Sequence, residues 1–68
     1  MPYENQAELP DSVRDNLPEG AREIYLKAFN HAWDEYADRD DREATAHKVA
    51  WSAVKQSYEK RDGEWVEK

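Results

Sequence analysis

The chain has 68 residues, enough for one small domain. Its 16 acidic residues outnumber its 10 basic ones, which gives a net charge of −6, and its mean hydropathy of −1.25 is very polar. The absence of cysteine excludes a disulfide framework and a thiolate zinc site. Because we find neither an apolar run long enough to span a membrane nor a secretory signal, we expect a cytoplasmic protein without membrane insertion.

Aromatic and alanine side chains have to supply most of the core. Leu, Ile, Val and Phe together number only nine, but the chain also carries three Trp, four Tyr and nine Ala. Aromatic rings bury large areas, and alanine lets helix backbones approach closely. We therefore expect a folded, marginally stable monomer. So small a chain has little volume left to enclose a catalytic pocket, so we expect neither an enzyme nor a cofactor.

The chain begins with an arm, residues 1–8, that has no helical period. The dipeptides Leu9-Pro10 and Leu17-Pro18 follow. Proline is common at the first position of a helix, where its missing N–H is not needed. An acidic residue follows each proline, where it suits the positive end of a helix. The pattern predicts a short helix over residues 10–16 and the start of a second one at Pro18.

The second helix has the clearest pattern. Apolar residues from Ala21 to Tyr36 recur at every position of the i, i+3, i+4, i+7 template. The opposite face is polar. This periodicity predicts an amphipathic helix over residues 18–37.

A third helix is predicted over residues 41–60. Its apolar stripe runs from Ala46 to Ser57, and Asp40 with Glu43 matches a capping box at its start. The turn that precedes it is short, so the two long helices should pack in an antiparallel manner.

The C-terminal end is predicted to be extended. Gly63 is a typical helix terminator, and residues 63–66 then form an extended segment that pairs with the arm near Tyr3. The predicted fold is therefore mainly α: one domain over 1–68, a compact bundle of one short and two long helices. A tiny two-stranded sheet formed by the termini completes it.

Acidic residues concentrate at the turn between the two long helices. Residues 34–43 carry six acidic and two basic side chains. Three of the acids lie at the negative end of the second helix, so a cation should lie nearby, either Arg39, Arg42 or a metal ion. The order of the residues does not match an EF-hand, which leaves two interpretations: a solvated turn with arginine pairing, or weak Ca²⁺ or Mg²⁺ binding. The candidate residues for a cation or a partner are Asp34, Glu35, Asp38, Asp40, Asp41 and Glu43.

Basic residues concentrate in the third helix. A basic face can bind nucleic acid, although phosphate would be repelled by the acidic turn beside it. A plain solvated face is the other interpretation. The residues of this face are Lys48, Lys55, Lys60 and Arg61.

Two aromatic blocks carry a family resemblance. The sequence contains the blocks Ala28-Phe29-Asn30-His31-Ala32-Trp33 and Ala46-His47-Lys48-Val49-Ala50-Trp51. The two Leu-Pro pairs precede these blocks, and Trp65 follows them. This pattern resembles the ChaB family, small bacterial proteins named as cation transport regulators, over nearly the full length.

The resemblance implies a fold of three helices with a small sheet. It also implies an accessory role for a Ca²⁺/Na⁺–proton antiporter, with the cytoplasmic face of that transporter as the partner. Some relatives are suspected DNA-binding proteins, which keeps the nucleic-acid alternative open. The family supplies no catalytic residues. We therefore expect a small, acidic, non-catalytic regulatory protein.

Overall fold

The computed structural model describes residues 3–68. It confirms the predicted fold class: three helices and a small two-stranded antiparallel sheet. The elements in chain order are a 3₁₀ turn at Gln6–Glu8, α1 at Asp11–Arg14, α2 at Glu19–Glu35, α3 at Arg42–Ser57, β1 at Tyr58–Arg61 and β2 at Glu64–Glu67.

The two Leu-Pro pairs mark the helix starts, but each helix begins one residue later than expected. Pro10 and Pro18 occupy the N-cap positions of α1 and α2 rather than their first helical positions. Helix α1 is a single turn, shorter than predicted. A hydrogen bond from the Leu17 amide to the Val13 carbonyl (3.1 Å) closes the end of this helix. The chain then leaves helical geometry because the residue before Pro18 is biased away from it.

The core lies where α2 packs on α3, and it combines large rings with alanines as expected. Tyr25 and Phe29 of α2 are 0% and 1% exposed. Ala46 and Ala50 of α3 are fully buried and leave room for them. Burying a ring of this size contributes about 1.5–3 kcal/mol. The buried apolar residues are Leu9, Val13, Leu17, Ala21, Tyr25, Leu26, Phe29, Ala32, Ala46, Ala50 and Val54.

The N-terminal arm docks on α2. Asn30 is buried and binds the backbone of Tyr3 twice: its Oδ1 accepts from the Tyr3 amide (3.3 Å) and its Nδ2 donates to the Tyr3 carbonyl (2.9 Å). The Tyr3 ring lies 4.9 Å from that of Phe29. The expected pairing of the arm with the C-terminal segment is therefore wrong, because a helix side chain takes the hydrogen bonds that a strand would have offered.

The sheet is a hairpin of the last residues alone. Strands β1 and β2 pair from Tyr58↔Glu67 to Arg61↔Glu64, and α3 consequently ends at Ser57 instead of reaching residue 60. Asp62 and Gly63 connect the strands with φ of 55° and 85°, the positive values that a two-residue type I′ turn requires. Pairing across so short a loop costs little closure entropy, which favours it over the distant arm.

The hairpin packs on both long helices. The Trp65 ring lies 5.7 Å from Trp51 of α3. Tyr58 lies over the first turn of α2, where Gly20 has no side chain and so leaves room for the phenol hydroxyl.

Candidate functional site

The acidic turn, residues 34–43, is held at a fixed geometry by the ends of two helices. The Tyr36 amide closes α2 by donating to the Ala32 carbonyl (2.9 Å), and the Arg39 amide donates back to the Tyr36 carbonyl (3.1 Å). Helix α3 then begins with a bond from the Thr45 amide to the Asp41 carbonyl (2.8 Å). The acidic side chains are thus attached to an ordered backbone.

Arg42 neutralises the carboxyl end of α2. Its Nε donates to the Trp33 carbonyl at 2.7 Å, and its guanidinium carbon lies 4.0 Å from the centroid of the Trp33 ring. A cation is stabilised at the negative end of a helix and again over an indole face. The cation expected beside the acidic residues is therefore present, and it is an arginine of the chain.

Arg39 pairs with Asp41 through two hydrogen bonds. Its Nε and Nη2 lie 2.9 and 3.3 Å from the two carboxylate oxygens of Asp41. The hydrogen bond to Arg39 lowers the pKa of Asp41, and the same bond raises the pKa of Arg39. The capping box expected from Asp40 and Glu43 is wrong: Asp41 occupies the N-cap position, and its side chain makes no capping bond.

The remaining carboxylates of the turn face solvent. Oε2 of Glu35 lies 3.3 Å from Nε2 of His31, and Oε1 of Glu43 lies 3.9 Å from Nε2 of His47. The two residues of each pair are one helical turn apart. Three exposed carboxylates form no ion pair within residues 3–68, namely those of Asp34, Asp38 and Asp40.

The carboxylates do not converge on a common point. Within the described part of the chain, no group of three or more His, Asp or Glu side chains is arranged to hold a metal ion. The two arginines instead supply the positive charge at the turn. The arrangement presents a surface of separate negative charges, which suits contact with a positively charged partner.

Glu43 connects the acidic turn to the buried aromatic cluster, a link that the sequence analysis missed. His47 lies between Glu43 and Tyr25. Nδ1 of His47 is hydrogen-bonded to the Tyr25 hydroxyl, and Nε2 of His47 faces the Glu43 carboxylate. Burial raises the pKa of Tyr25 above its ordinary value. Burial, and then the charge of Glu43, raises the pKa of Tyr3. The spacing of Glu43 and His47 is visible in the sequence, whereas the contact with Tyr25 joins different helices.

The four residues of the predicted basic face do not form one helical face. Lys48 and Lys55 lie on α3, but Lys60 and Arg61 lie on β1, where successive side chains point to opposite sides. Arg61 is also paired with Glu59, with 2.8 Å between Nη2 and Oε1. The basic face was predicted to be longer than it is, because α3 was expected to continue to residue 60 and ends at Ser57.

None of the helices within residues 3–68 combines the length and the apolar character that crossing a bilayer requires. These observations define a class: a small, mainly α-helical domain with a C-terminal hairpin and an acidic turn between its long helices. The ChaB family model matches residues 9–68, and the chain belongs to the ChaB family.

Relatives of known sequence and structure agree with this membership. The "Putative cation transport regulator ChaB" of Escherichia coli strain K12 is 51% identical over 75 residues, which cover 100% of this chain and 99% of that protein. A 10.9 kDa protein from the LEF8-FP intergenic region of Lymantria dispar multicapsid nuclear polyhedrosis virus is 35% identical over 66 residues, 97% of this chain and 64% of that protein.

A solved structure shows the same fold. The NMR solution structure of the "putative cation transport regulator ChaB" superposes with a TM-score of 0.86 at 53% identity, over 98% of this chain and 99% of that one. The likeness extends over nearly the whole of both chains.

Proposed function

We propose that the protein is a non-catalytic regulator that binds the cytoplasmic face of a cation/proton antiporter through its acidic turn. One observation carries the proposal: the arginines of the turn are occupied within the chain while Asp34, Asp38 and Asp40 face solvent. The negative charge is thereby left available to a partner.

The chemistry of the partner follows from this charge. Cytoplasmic loops of membrane proteins carry an excess of Lys and Arg. Complementary charge increases the rate of encounter and excludes partners of the same sign. The carboxylates lie on a turn held by hydrogen bonds, so binding costs little ordering of the backbone.

The relatives also support a regulatory role. The Escherichia coli protein is named "Putative cation transport regulator ChaB", and it aligns with the whole of this chain. The arginine pairing inside the turn favours a partner surface over the alternative role of the six carboxylates in weak Ca²⁺ or Mg²⁺ binding.

The test compares two variants with the same change of charge. The first neutralises the exposed acids of the turn by Asp34→Asn, Asp38→Asn and Asp40→Asn. The second neutralises three exposed acids elsewhere by Asp15→Asn, Asp62→Asn and Glu67→Gln. Each protein is immobilised and used to capture the detergent-solubilised antiporter, with circular dichroism as the check of folding.

We expect the turn variant to lose about tenfold in capture and the control variant to retain it, with capture by the unaltered protein weakening as salt rises. Equal capture by both variants would refute the proposal. A backbone-amide titration with Ca²⁺ tests the alternative: saturable shifts confined to residues 34–43 would assign the carboxylates to the metal instead.

A further inference from the structure

A second surface of the molecule has the opposite charge. Residues 44–58 contain no Asp or Glu, in a chain with 16 acidic residues. The same stretch contains Lys48 and Lys55, seven residues apart on α3. That spacing is about two helical turns, so the two side chains project from one face about 10 Å apart.

These two lysines are available for contact. Both are exposed, and neither forms an ion pair within the part of the chain that the structure describes. By contrast, Arg14, Lys27 and Arg39 are each paired with a carboxylate two to four residues away in the sequence. Lys48 and Lys55 are therefore both free to pair with a carboxylate of a partner.

An apolar groove runs beside the lysines. It has a volume of about 310 Å³ and is lined by Lys48, Val49, Ser52, Ala53 and Gln56. Val49 is partly buried and packs on the core, so the groove floor is rigid. Apart from Lys48 its lining side chains are uncharged, and Ser52 and Ala53 are small enough to allow the backbone of a second helix to approach closely.

We propose that this face, which we call the lysine groove (Lys48, Val49, Ser52, Ala53, Lys55 and Gln56), binds an acidic amphipathic helix of a partner protein. The partner helix inserts apolar side chains spaced i, i+4 over Val49 and Ala53. Its acidic residues, spaced i, i+7, lie against Lys48 and Lys55. Helix-in-groove recognition uses this combination of apolar anchors and flanking charges. The surface differs from the acidic turn in both position and charge.

Nucleic acid fits this face less well. Nucleic-acid binding depends on many phosphate contacts along a charged track. Here the track has two lysines, and at its amino end it meets Asp40, Asp41 and Glu43 of the acidic turn. A short helix can stop before those carboxylates, whereas a continuous polyanion would pass over them.

A second copy of the chain also fits less well. Its acidic turn, residues 34–43, offers one apolar side chain larger than Ala, Tyr36, where the groove takes two apolar anchors. Two chains of net charge −6 also repel each other. A separate partner that carries both apolar and acidic residues satisfies both requirements.

The experiment uses a designed helical peptide as the probe. It carries two Leu four residues apart and two Glu seven residues apart on the adjoining face, and a matched peptide carries Lys in place of Glu. Each peptide is titrated into the full ¹⁵N-labelled chain while backbone amide shifts are recorded. Two protein variants with equal charge change are compared: Lys48→Gln/Lys55→Gln and, as the control, Lys60→Gln/Lys68→Gln.

We expect the Glu peptide to shift amides within residues 48–56, and the Lys peptide to leave them in place. Affinity should fall about tenfold in Lys48→Gln/Lys55→Gln and stay within about twofold in the control. Equal loss in both variants, or shifts spread over the whole chain, would refute the groove. So would equivalent shifts from duplex DNA, or concentration-dependent shifts without peptide, which would indicate a second copy.

The outcome is independent of the proposed antiporter contact. Asn substitution at Asp34, Asp38 and Asp40 should not weaken peptide binding at the lysine groove, because these residues lie on the turn and on α2 and their charge repels an acidic peptide. Failure of the peptide test refutes the groove alone, and failure of antiporter capture by the turn refutes the proposed function alone.

Discussion

The buried aromatic cluster and the acidic turn use polar groups in opposite ways. In the cluster, the Tyr25 hydroxyl and the Asn30 amide each bind a partner distant in sequence, and the core closes around them. In the turn, Arg39 and Arg42 bind partners two and nine residues away, while several carboxylates remain exposed. The comparison separates a region that determines stability from one that is available for partner contact.

This separation has a physical cause. An unsatisfied polar group costs about 1–3 kcal/mol when buried, so the loss of a hydrogen-bond partner in the cluster lowers stability. Exposed charges are screened by water and salt, and pairs of them contribute little to folding. Substitutions should therefore divide into two groups: large effects on stability in the cluster, and small ones in the turn.

The largest effect is expected for Phe29→Ala. The Phe29 ring is 1% exposed. Its centroid lies 4.9, 5.9 and 4.7 Å from the ring centroids of Tyr3, Trp33 and His47. Truncating a buried Phe costs about 3–5 kcal/mol, comparable with the total stability of a chain this small. We expect loss of the cooperative transition in urea monitored by circular dichroism. Phe29→Leu should retain a transition at lower urea, and a near-wild-type midpoint for Phe29→Ala would contradict the role of the cluster.

Gly20→Ala should have the next largest effect, because a Cβ at this position would overlap the Tyr58 hydroxyl. Overpacking of this kind costs about 1–3 kcal/mol. In Gly20→Ala/Tyr58→Phe the obstructing oxygen is gone and the next ring atom lies 3.4 Å away, an ordinary contact. The double variant should recover the loss and add the helix-forming advantage of Ala over Gly, about 0.5–1 kcal/mol.

Urea midpoints of the two single variants and the double variant test this interpretation. Tyr58→Phe alone should be close to neutral, since its hydroxyl forms no hydrogen bond within residues 3–68. If Gly20→Ala is as stable as the unaltered chain, Tyr58 can rotate away freely and the hairpin is not held at this point.

The same division explains what the sequence could and could not predict. Helix α2 was predictable because its buried residues repeat along one face, and the arginines of the turn were predictable because helix ends attract opposite charge. The hairpin was missed although Asp62-Gly63 is a strong turn signal, since Gly63 also fits a helix stop. Asn30 with Tyr3 and Tyr25 with His47 are separated by 27 and 22 residues, and no local pattern encodes such pairs.

Because Tyr25 is buried in the aromatic cluster, the free energy of unfolding should be sensitive to alkaline pH. Burial raises the pKa of its phenol in the folded chain above the ordinary value of 10.0. Below pH 10 the phenol is protonated in both states. Above it, the unfolded chain releases the proton while the folded chain retains it, so the free energy of unfolding should fall as pH rises.

Tyr25→Phe should flatten this alkaline decrease, while costing about 0.5–1.5 kcal/mol at neutral pH through the lost bond to His47. Urea unfolding at a series of pH values measures both effects, and the ultraviolet absorbance of tyrosinate identifies the ionising group. An alkaline decrease of unchanged slope in the variant would assign it to another residue.

The smallest effect is expected at the acidic turn, for Asp41. The hydrogen bonds from Arg39 lower the pKa of Asp41 in the folded chain below its ordinary value of 3.8. The contribution of this pair to stability is therefore fully present above pH 3.8 and is lost as pH falls through the lowered value. Because both side chains are exposed, the contribution is small and should shrink further with salt.

A double-mutant cycle separates this pair from the rest of the turn. Asp41→Asn and Arg39→Gln should each lower the urea midpoint slightly at neutral pH, and the double variant should lose no more than either one. At a pH well below 3.8 the coupling should vanish, since the Asp41 carboxyl of the unaltered chain is then protonated. Strictly additive losses at neutral pH would show that the two side chains do not act as a pair. Arg39 would then be unpaired, and the proposed function would lose part of the observation that carries it, the occupation of both arginines within the chain.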